Sequence, residues 1–213
     1  SHDGTTKFLF KTSDGALLES VMMVFDYGRS VCVSSQVGCN MGCAFCASGL
    51  TKKKRDLTSG EMVAQVMYVQ KELDKDNLRL SHIVVMGTGE PFDNFESLCR
   101  MIELLCSPDG LNISHRNITV STCGIVPKIY EFADRNPQVT LAISLHSPND
   151  TMRRELMPIA NKYSMDELME AARYYTRTTG RRITFEYSLV AGVNDSEENA
   201  RELAGRLKGL NCH

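Results

Sequence analysis

The residues most able to carry out chemistry are three cysteines at a close spacing. Cys39, Cys43 and Cys46 form a C-x3-C-x2-C segment, with Phe45 directly before the last cysteine. Three thiolates this close in sequence can bind three irons of a cubane cluster. The fourth iron then lacks a protein ligand and can take a substrate, as at other catalytic metal sites with an open position. The spacing therefore predicts a [4Fe-4S] cluster with one open iron.

The same thiols allow two other interpretations. Cys32 could supply a fourth thiolate, which would give a closed tetrahedral zinc site. Alternatively, the cysteines could be buried structural residues. The chain has eight cysteines, and its first residues lack the apolar segment of a secretion signal. We therefore expect a cytoplasmic, reducing environment and free thiols.

Composition sets broad limits on the class of protein. Hydrophobic residues make up 42% of the 213 residues, which indicates a globular chain with a substantial core. No apolar run approaches the length of a membrane span, so no membrane association is expected. The chain lacks an initiator Met and stops directly after a helical pattern. We therefore expect a central fragment of a longer protein. We also expect a monomer.

Strands and helices alternate along the chain and must position the cysteines. An N-terminal β-hairpin is predicted over 7–25, with its turn at Asp14-Gly15. Five strand–helix units follow, with strands at 31–35, 82–86, 118–121, 139–144 and 183–190, and helices at 58–73, 95–106, 126–135, 164–179 and 196–207. Such alternation predicts parallel strands with helical crossovers. The expected fold is α/β: an open, partial (βα)6-type barrel, truncated before its last strand. We assign 1–28 to the hairpin extension and 29–213 to a core domain that is incomplete at its C-terminus.

Polar, Gly-rich and Cys-rich segments all follow strands in this layout. Ligands of parallel α/β proteins bind at the carboxyl ends of the strands. The candidate residues should therefore share one rim of the barrel.

The cysteine segment, with Phe45 at its aromatic position, resembles the signature of the radical S-adenosylmethionine (SAM) superfamily. The resemblance implies a radical SAM barrel in which the amino and carboxylate groups of SAM chelate the open iron. It also implies that Phe45 lies close to the adenine of SAM.

Further motifs extend this resemblance from about residue 7 to about residue 207. They comprise the segments CVSSQVGC (32–39), LTSGE (57–61), MGTGEP (86–91), STCGIVP (121–127) and LAISLHSPND (141–150). In this order they resemble the RlmN/Cfr family of rRNA adenine methyltransferases.

The resemblance implies roles at the matching positions. Gly89 and Glu90 match a motif whose Glu binds the SAM ammonium group, in agreement with the reach of a carboxylate on a Gly-rich loop. An ordinary charge at a helix N-terminus is the alternative for Glu90. Ser121 matches a position that contacts SAM, as do Ser144, Leu145 and His146.

Two further residues match catalytic positions of the family. Glu19, thirteen residues before Cys32, matches a proposed proton-accepting glutamate, although it could equally be an exposed strand carboxylate. Cys32 matches a cysteine that attacks a thioether-linked intermediate and forms a disulfide as the product leaves. The alternative for Cys32 is a small core residue.

The family chemistry implies several partners. A reduced cluster cleaves SAM to a 5′-deoxyadenosyl radical, which takes hydrogen from a methyl group on a cysteine near the C-terminus. That carbon adds to C2 of an adenosine in 23S rRNA, or to C8 in the Cfr branch, and RlmN-type members also act on tRNA. A flavodoxin- or ferredoxin-type electron donor is expected. The methyl-carrying cysteine is expected beyond this chain, because Cys212 follows the last helix too closely. We therefore expect this chain by itself not to methylate RNA.

Two basic segments on the predicted rim suit an RNA substrate. Lys52-Lys53-Lys54-Arg55 follows the cysteine segment, and Arg153-Arg154 follows the Ser-Leu-His segment. Contact with phosphate is one interpretation, and a solvated surface is the other.

Other functions remain open at this point. They are the C8 specificity, a different radical SAM reaction such as glycyl-radical activation, and a zinc-stabilised RNA-binding module without catalysis. An iron–sulfur protein is brown and bleaches on reduction, whereas a zinc protein is colourless.

Overall fold

The N-terminal segment forms the predicted hairpin in the computed structural model, which describes residues 1–213. β1 (Thr6–Lys11) pairs antiparallel with β2 (Leu17–Phe25). β2 also pairs antiparallel with β3 (Gly28–Cys32), so the hairpin joins the main sheet through hydrogen bonds.

The cysteine loop, residues 33–57, leaves the carboxyl end of β3. It is closed by a short antiparallel pair, β4 (Gln36–Val37) with β5 (Arg55–Asp56). The sequence pattern does not predict this pair. It brings the residues after the third cysteine back against those before the first.

Five parallel strands form the body of the sheet. β3 is followed in space by β6 (Leu80–Val85), β7 (Ile118–Thr122), β8 (Thr140–Ser144) and β9 (Thr184–Glu186). The full order is β1-β2-β3-β6-β7-β8-β9, and every pair from β3 onward is parallel. This confirms the predicted α/β fold with a partial parallel barrel.

Helices connect the parallel strands. They are α1 (Ser59–Asp74), α2 (Phe95–Cys106), α3 (Val126–Arg135), α4 (Asp150–Leu156), α5 (Met165–Thr179) and α6 (Glu197–Leu207). The predicted capping box is present at the start of α1: Glu61 N–H donates to Thr58 Oγ1 at 3.1 Å, and Thr58 N–H donates back to Glu61 Oε2 at 2.9 Å. None of the helices is both long and apolar enough to span a bilayer.

The core lies between the sheet and these helices. Ile83, Ile118 and Leu141 of the parallel strands are fully buried, as are Leu98 of α2 and Ile129 of α3. Burying such side chains stabilises each by about 1.5–3 kcal/mol relative to exposure. The same packing fixes where the strands end and therefore where the loops meet.

The last residues lie beside β9, at the position predicted for a sixth strand. Ile183 and Cys212 form a parallel bridge. Phe185 N–H donates to the His213 carbonyl at 2.9 Å.

Candidate active site

One cleft lies at the carboxyl ends of the parallel strands, where the sequence predicted a shared rim. Its walls come from the cysteine loop and from the ends of β6, β7, β8 and β9. Among the residues that line it are Cys39, Cys43, Phe45, Cys46, Gly89, Glu90, Ser121, Cys123, Ser144 and Glu186.

The cysteine loop presents all three predicted thiols to this cleft. Cys39 and Cys43 are half-buried and Cys46 is exposed. Backbone bonds hold the loop in place: Cys39 N–H donates to the Thr51 carbonyl at 3.0 Å, and Cys46 N–H to the Cys43 carbonyl at 3.1 Å. Ala44 N–H donates to the last residue of α4, Leu156. The loop is therefore held both by bonds within itself and by a bond to α4.

The electrostatics of these thiols favour a cationic ligand. Burial, and to a smaller extent the neighbouring thiols of Cys46 and Cys39, together raise the pKa of Cys43 to about 11. Thiolates gathered in one cleft repel each other unless positive charge lies between them. The donor set therefore fits a bound iron–sulfur cluster.

The structure does not place Cys32 with the three predicted thiols, where a closed zinc site would need it. No group of three or more His, Cys, Asp or Glu side chains is close enough to hold one metal ion. Cys32 is not among the residues that line the cleft; the fourth thiol there belongs to Cys123.

Glu90 is a buried carboxylate without a cationic partner. It is only 4% exposed. Its Oε1 accepts from Thr122 Oγ1 at 2.7 Å and from Phe92 N–H at 3.1 Å, and its Oε2 accepts from Cys123 N–H at 2.8 Å. Burial raises the pKa of Glu90 despite these bonds. Two carboxylate oxygens offer about four acceptor positions, so one remains for an ammonium group, which would also neutralise the buried charge.

The loop before Glu90 is shaped by glycines that pack against the start of the cysteine loop. Gly89 has a φ of +110°, and a Cβ there would lie 2.6 Å from Cβ of Gln36. A Cβ on Gly87 would lie 2.7 Å from Ser34 Oγ. Any side chain at either position would force the two loops apart.

Two serines and a glutamate form a polar cluster on the opposite wall. Ser121 Oγ and Ser144 Oγ both donate to Glu186 Oε2, at 3.3 and 3.2 Å. The sequence does not point to Glu186, because the strand predicted over 183–190 places it in mid-strand. The observed β9 ends at Glu186, which brings its carboxylate to the rim. A carboxylate beside two hydroxyls can accept hydrogen bonds from hydroxyl groups of a ligand.

Leu145 and His146 lie behind the cleft wall. The Leu145 side chain is fully buried. His146 has a φ of +53°, and its Nδ1 accepts from Ser188 N–H at 2.9 Å. Burial, aided by the positive charge of Arg153, lowers the pKa of His146 to about 4, so the ring is neutral near pH 7. The His146 ring packs edge-on against Phe45 at 4.4 Å between centroids, which supports Phe45 at the cleft.

Glu19 and Cys32 lie beside the cleft and not among its lining residues. Cys32 ends β3 and is half-buried, and burial raises its pKa. It pairs with Val21 in the antiparallel register, so the β2 residues before Val21 extend past the end of β3 toward the rim. Glu19 is one of these. Ser34 Oγ donates to its carbonyl at 2.8 Å, and its carboxylate pairs with Lys7 at 2.6 Å.

The structure corrects the interpretation of Arg153-Arg154 as a phosphate-binding pair. Arg154 is exposed, but the Arg153 side chain is fully buried. Its guanidinium donates to the carbonyls of Cys123 at 2.7 Å, Ser144 at 3.2 Å and Leu145 at 3.2 Å. Arg153 therefore joins the carboxyl ends of β7 and β8 from within and cannot reach RNA.

Half of the basic run 52–55 is likewise engaged within the protein. Lys53 pairs with Asp56 and Asp93, each at 2.8 Å. Arg55 pairs with Asp14 at the hairpin tip and with Glu61 at the start of α1, each at 2.7 Å. Arg55 thus ties the hairpin to the core.

A partial parallel barrel with a three-cysteine loop and a Gly-Glu loop at one rim defines a class of cluster-binding SAM enzymes. The radical SAM superfamily profile matches residues 33–204. The chain belongs to the radical SAM superfamily.

Within this superfamily the chain is similar to proteins called probable dual-specificity RNA methyltransferase RlmN. It is 59% identical to the one from Lachnospira eligens, over 99% of this chain and 59% of that protein. The one from Geobacillus kaustophilus is 57% identical over 100% of this chain and 58% of its own length. These similarities confirm the family resemblance predicted from the motifs. The chain spans about three-fifths of the length of these relatives.

Solved structures agree with this placement. A radical SAM methyltransferase from Sphaerobacter thermophilus superposes with a TM-score of 0.97 at 50% identity, over 100% of this chain and 63% of that one. HydG, a maturase of the [FeFe]-hydrogenase, matches 82% of this chain and 38% of its own with a TM-score of 0.56 at 15% identity. The second likeness concerns the fold alone.

Proposed function

We propose that the protein containing this chain is a radical SAM RNA methyltransferase that methylates C2 of an adenosine in 23S rRNA and in tRNA. The observation that carries the proposal is the convergence of Cys39, Cys43 and Cys46 with Glu90 in one cleft. The similarity to proteins named RNA methyltransferases supplies the substrate class.

In this proposal the three cysteines hold a [4Fe-4S] cluster and the rest of the cleft holds SAM. The cluster, when bound, supplies the electron for reductive cleavage of SAM. Glu90, fixed by its three hydrogen bonds, accepts the SAM ammonium group. Ser121 and Ser144 offer hydroxyls to the rest of SAM. Phe45, supported by His146, packs against the adenine.

Glu19 and Cys32 have the remaining proposed roles. Glu19 accepts the proton that leaves the target carbon; the antiparallel register, which carries β2 past the end of β3, supports this because it puts Glu19 on the rim side. Cys32 attacks the sulfur of the thioether that links the RNA to the methyl-carrying cysteine; the S–S bond forms as the S–C bond breaks, and the electron pair leaves with the product carbon, which is then protonated. A flavodoxin- or ferredoxin-type protein is the proposed electron donor.

The cofactor part is tested by reconstituting the chain with iron and sulfide under anaerobic conditions. We expect a brown protein whose reduced cluster gives an EPR signal that shifts on addition of SAM. The Glu90→Gln variant should retain the cluster but lose the shift, because an amide cannot neutralise the SAM ammonium group. A colourless protein with one tightly bound zinc would overturn the proposal.

The reaction is tested with the whole protein that contains this chain. Mass spectrometry of 23S rRNA and tRNA fragments after reaction should show 2-methyladenosine. Formation of 8-methyladenosine would replace the C2 assignment with C8. Absence of any methylated adenosine, with an active cluster, would refute the proposed substrate.

A further inference from the structure

A groove separates the N-terminal hairpin from the cysteine loop. We name it the hairpin groove, and its main lining residues are Leu9, Leu17, Glu19, Ser48, Lys52 and Lys54. It encloses about 720 Å³, within the range of ligand-binding clefts of about 300–1,000 Å³. Ser48 lines both the hairpin groove and the cleft, so the two are adjacent.

The four basic side chains of the run 52–55 point alternately to two opposite sides of the segment. Residues around 51–56 pair with 36–39 in an extended conformation: Cys39 N–H donates to the Thr51 carbonyl, and Lys54 N–H to the Val37 carbonyl at 2.7 Å. Alternate side chains of an extended segment point to opposite sides. Lys53 and Arg55 point to their carboxylate partners, whereas Lys52 and Lys54 line the hairpin groove.

Lys52 and Lys54 form no ion pair within the chain. The only acidic residue lining the hairpin groove is Glu19, whose charge is neutralised by Lys7 at 2.6 Å. The hairpin groove therefore carries a local positive charge on a chain whose net charge is −2. Two unpaired lysines in this position should attract an anionic ligand.

The hairpin side of the hairpin groove carries two exposed leucines beside the Lys7–Glu19 ion pair. Leu9 is 64% exposed and Leu17 is 60% exposed. They line the same groove as Lys52 and Lys54. A strip of exposed leucines in one groove with unpaired lysines suits a ligand with apolar faces and a negatively charged backbone, as a nucleic acid strand has.

We propose that the hairpin groove binds the RNA strand next to the target nucleotide. Lys52 and Lys54 contact successive phosphates, Leu9 and Leu17 contact the sugars and bases, and the target base turns past Ser48 into the cleft. This inference rests on the proposed function and adds to it the path of the RNA. It also restricts the phosphate contacts of the run 52–55 to two of its four cations.

The test measures RNA binding by the whole protein that contains this chain. Fluorescence anisotropy with a labelled single-stranded RNA oligonucleotide gives the affinity over a series of KCl concentrations. Each phosphate contact on a single strand contributes about 0.7 to the slope of log K against log salt. The double variant Lys52→Ala/Lys54→Ala should therefore lower the slope by about 1.4 and weaken binding about tenfold near 0.15 M salt.

Two variants serve as controls. Lys71→Ala/Lys208→Ala removes the same charge from exposed lysines outside the hairpin groove and should leave the slope unchanged. Lys52→Arg/Lys54→Arg keeps the charge and should retain the wild-type slope. Thermal unfolding of each variant shows whether the fold is intact.

The outcomes are distinguishable. Equal slopes for Lys52→Ala/Lys54→Ala and for wild type would overturn this inference while leaving the proposed function intact. An equal loss of slope in the Lys71→Ala/Lys208→Ala control would also overturn it, because net charge would then be the cause. A wild-type protein that does not bind RNA would overturn both this inference and the proposed substrate.

Discussion

Replacing Gln65 by Met should loosen the attachment of the cysteine loop to the core. Gln65 lies on α1 and is 2% exposed. Its Oε1 accepts from Ser34 N–H at 2.9 Å, and its Nε2 donates to the Ser34 carbonyl at 3.0 Å. Ser20 Oγ also donates to Oε1, at 2.7 Å. The amide thus satisfies both backbone groups of Ser34, as a neighbouring strand would.

The magnitude follows from these bonds. Met has nearly the shape of Gln, so packing changes little, but Ser34 N–H and C=O lose their partners in a buried position. Each unsatisfied group costs about 1–3 kcal/mol. Burial of the more apolar Met side chain offsets about 1 kcal/mol. The net loss in the free energy of unfolding should be about 1–5 kcal/mol, a large part of the total for a domain of this size.

The measurement is urea-induced unfolding under anaerobic, reducing conditions, followed by circular dichroism. Gln138→Met is the matched control, because Gln138 is exposed, and it should change stability by less than about 0.5 kcal/mol. Iron bound after reconstitution should fall in the Gln65→Met variant, since Ser34 lies between Cys32 and Cys39. A stability loss below about 1 kcal/mol would refute the argument that Ser34 depends on this amide.

Three further predictions concern buried groups. The pKa of His146 is lowered to about 4, so between about pH 6.5 and 4 the unfolded chain binds a proton at His146 that the folded chain does not. The free energy of unfolding should therefore fall by up to about 3 kcal/mol as pH falls through this window. A His146→Gln variant with the same pH dependence as the wild type would contradict this. In the chain without metal, iodoacetamide should alkylate the exposed Cys46 well before the buried Cys123, whose pKa burial raises further; peptide mass spectrometry showing equal rates would refute the assigned burial. Arg153→Ala should lower the free energy of unfolding in urea by at least about 3 kcal/mol, because it leaves three carbonyls unpaired. Arg154→Ala should change it by less than about 0.5 kcal/mol. Similar losses in the two variants would argue against the buried position of Arg153.

Local sequence patterns were sufficient for the elements whose ends are set by local chemistry. α2 and α3 were predicted with the bounds observed, and the start of α1 followed from the capping box at Thr58. The placement of loops after strands predicted a shared rim, and Cys39, Cys43, Cys46 and Glu90 do line one cleft there, whereas Glu19, Cys32, Leu145 and His146 lie outside it.

Features set by distant contacts were not predictable in this way. β9 is shorter than predicted because buried Asn194 organises the following residues into a loop: its Oδ1 accepts from Val190 N–H, and its Nδ2 donates to the Ser188 and His146 carbonyls. Arg153 is buried because its guanidinium bonds carbonyls at the ends of two strands. The sequence Arg153-Arg154 alone does not show which of the two arginines meets these carbonyls. Glu186 was missed for the same reason as the end of β9.

The packing of Gly87 and Gly89 distinguishes residues that are needed for folding from residues that are needed only for catalysis. Both positions exclude a side chain because the backbone and side chains of 33–36 lie against them, whether or not the cleft holds a ligand. A descendant that lost its cysteines, and with them its catalysis, would still be under selection to keep these glycines for folding. In such a pseudoenzyme the Gly-x-Gly pair would persist as a trace of ancestry, while the loss of Cys39, Cys43 or Cys46 would mark the end of the chemistry.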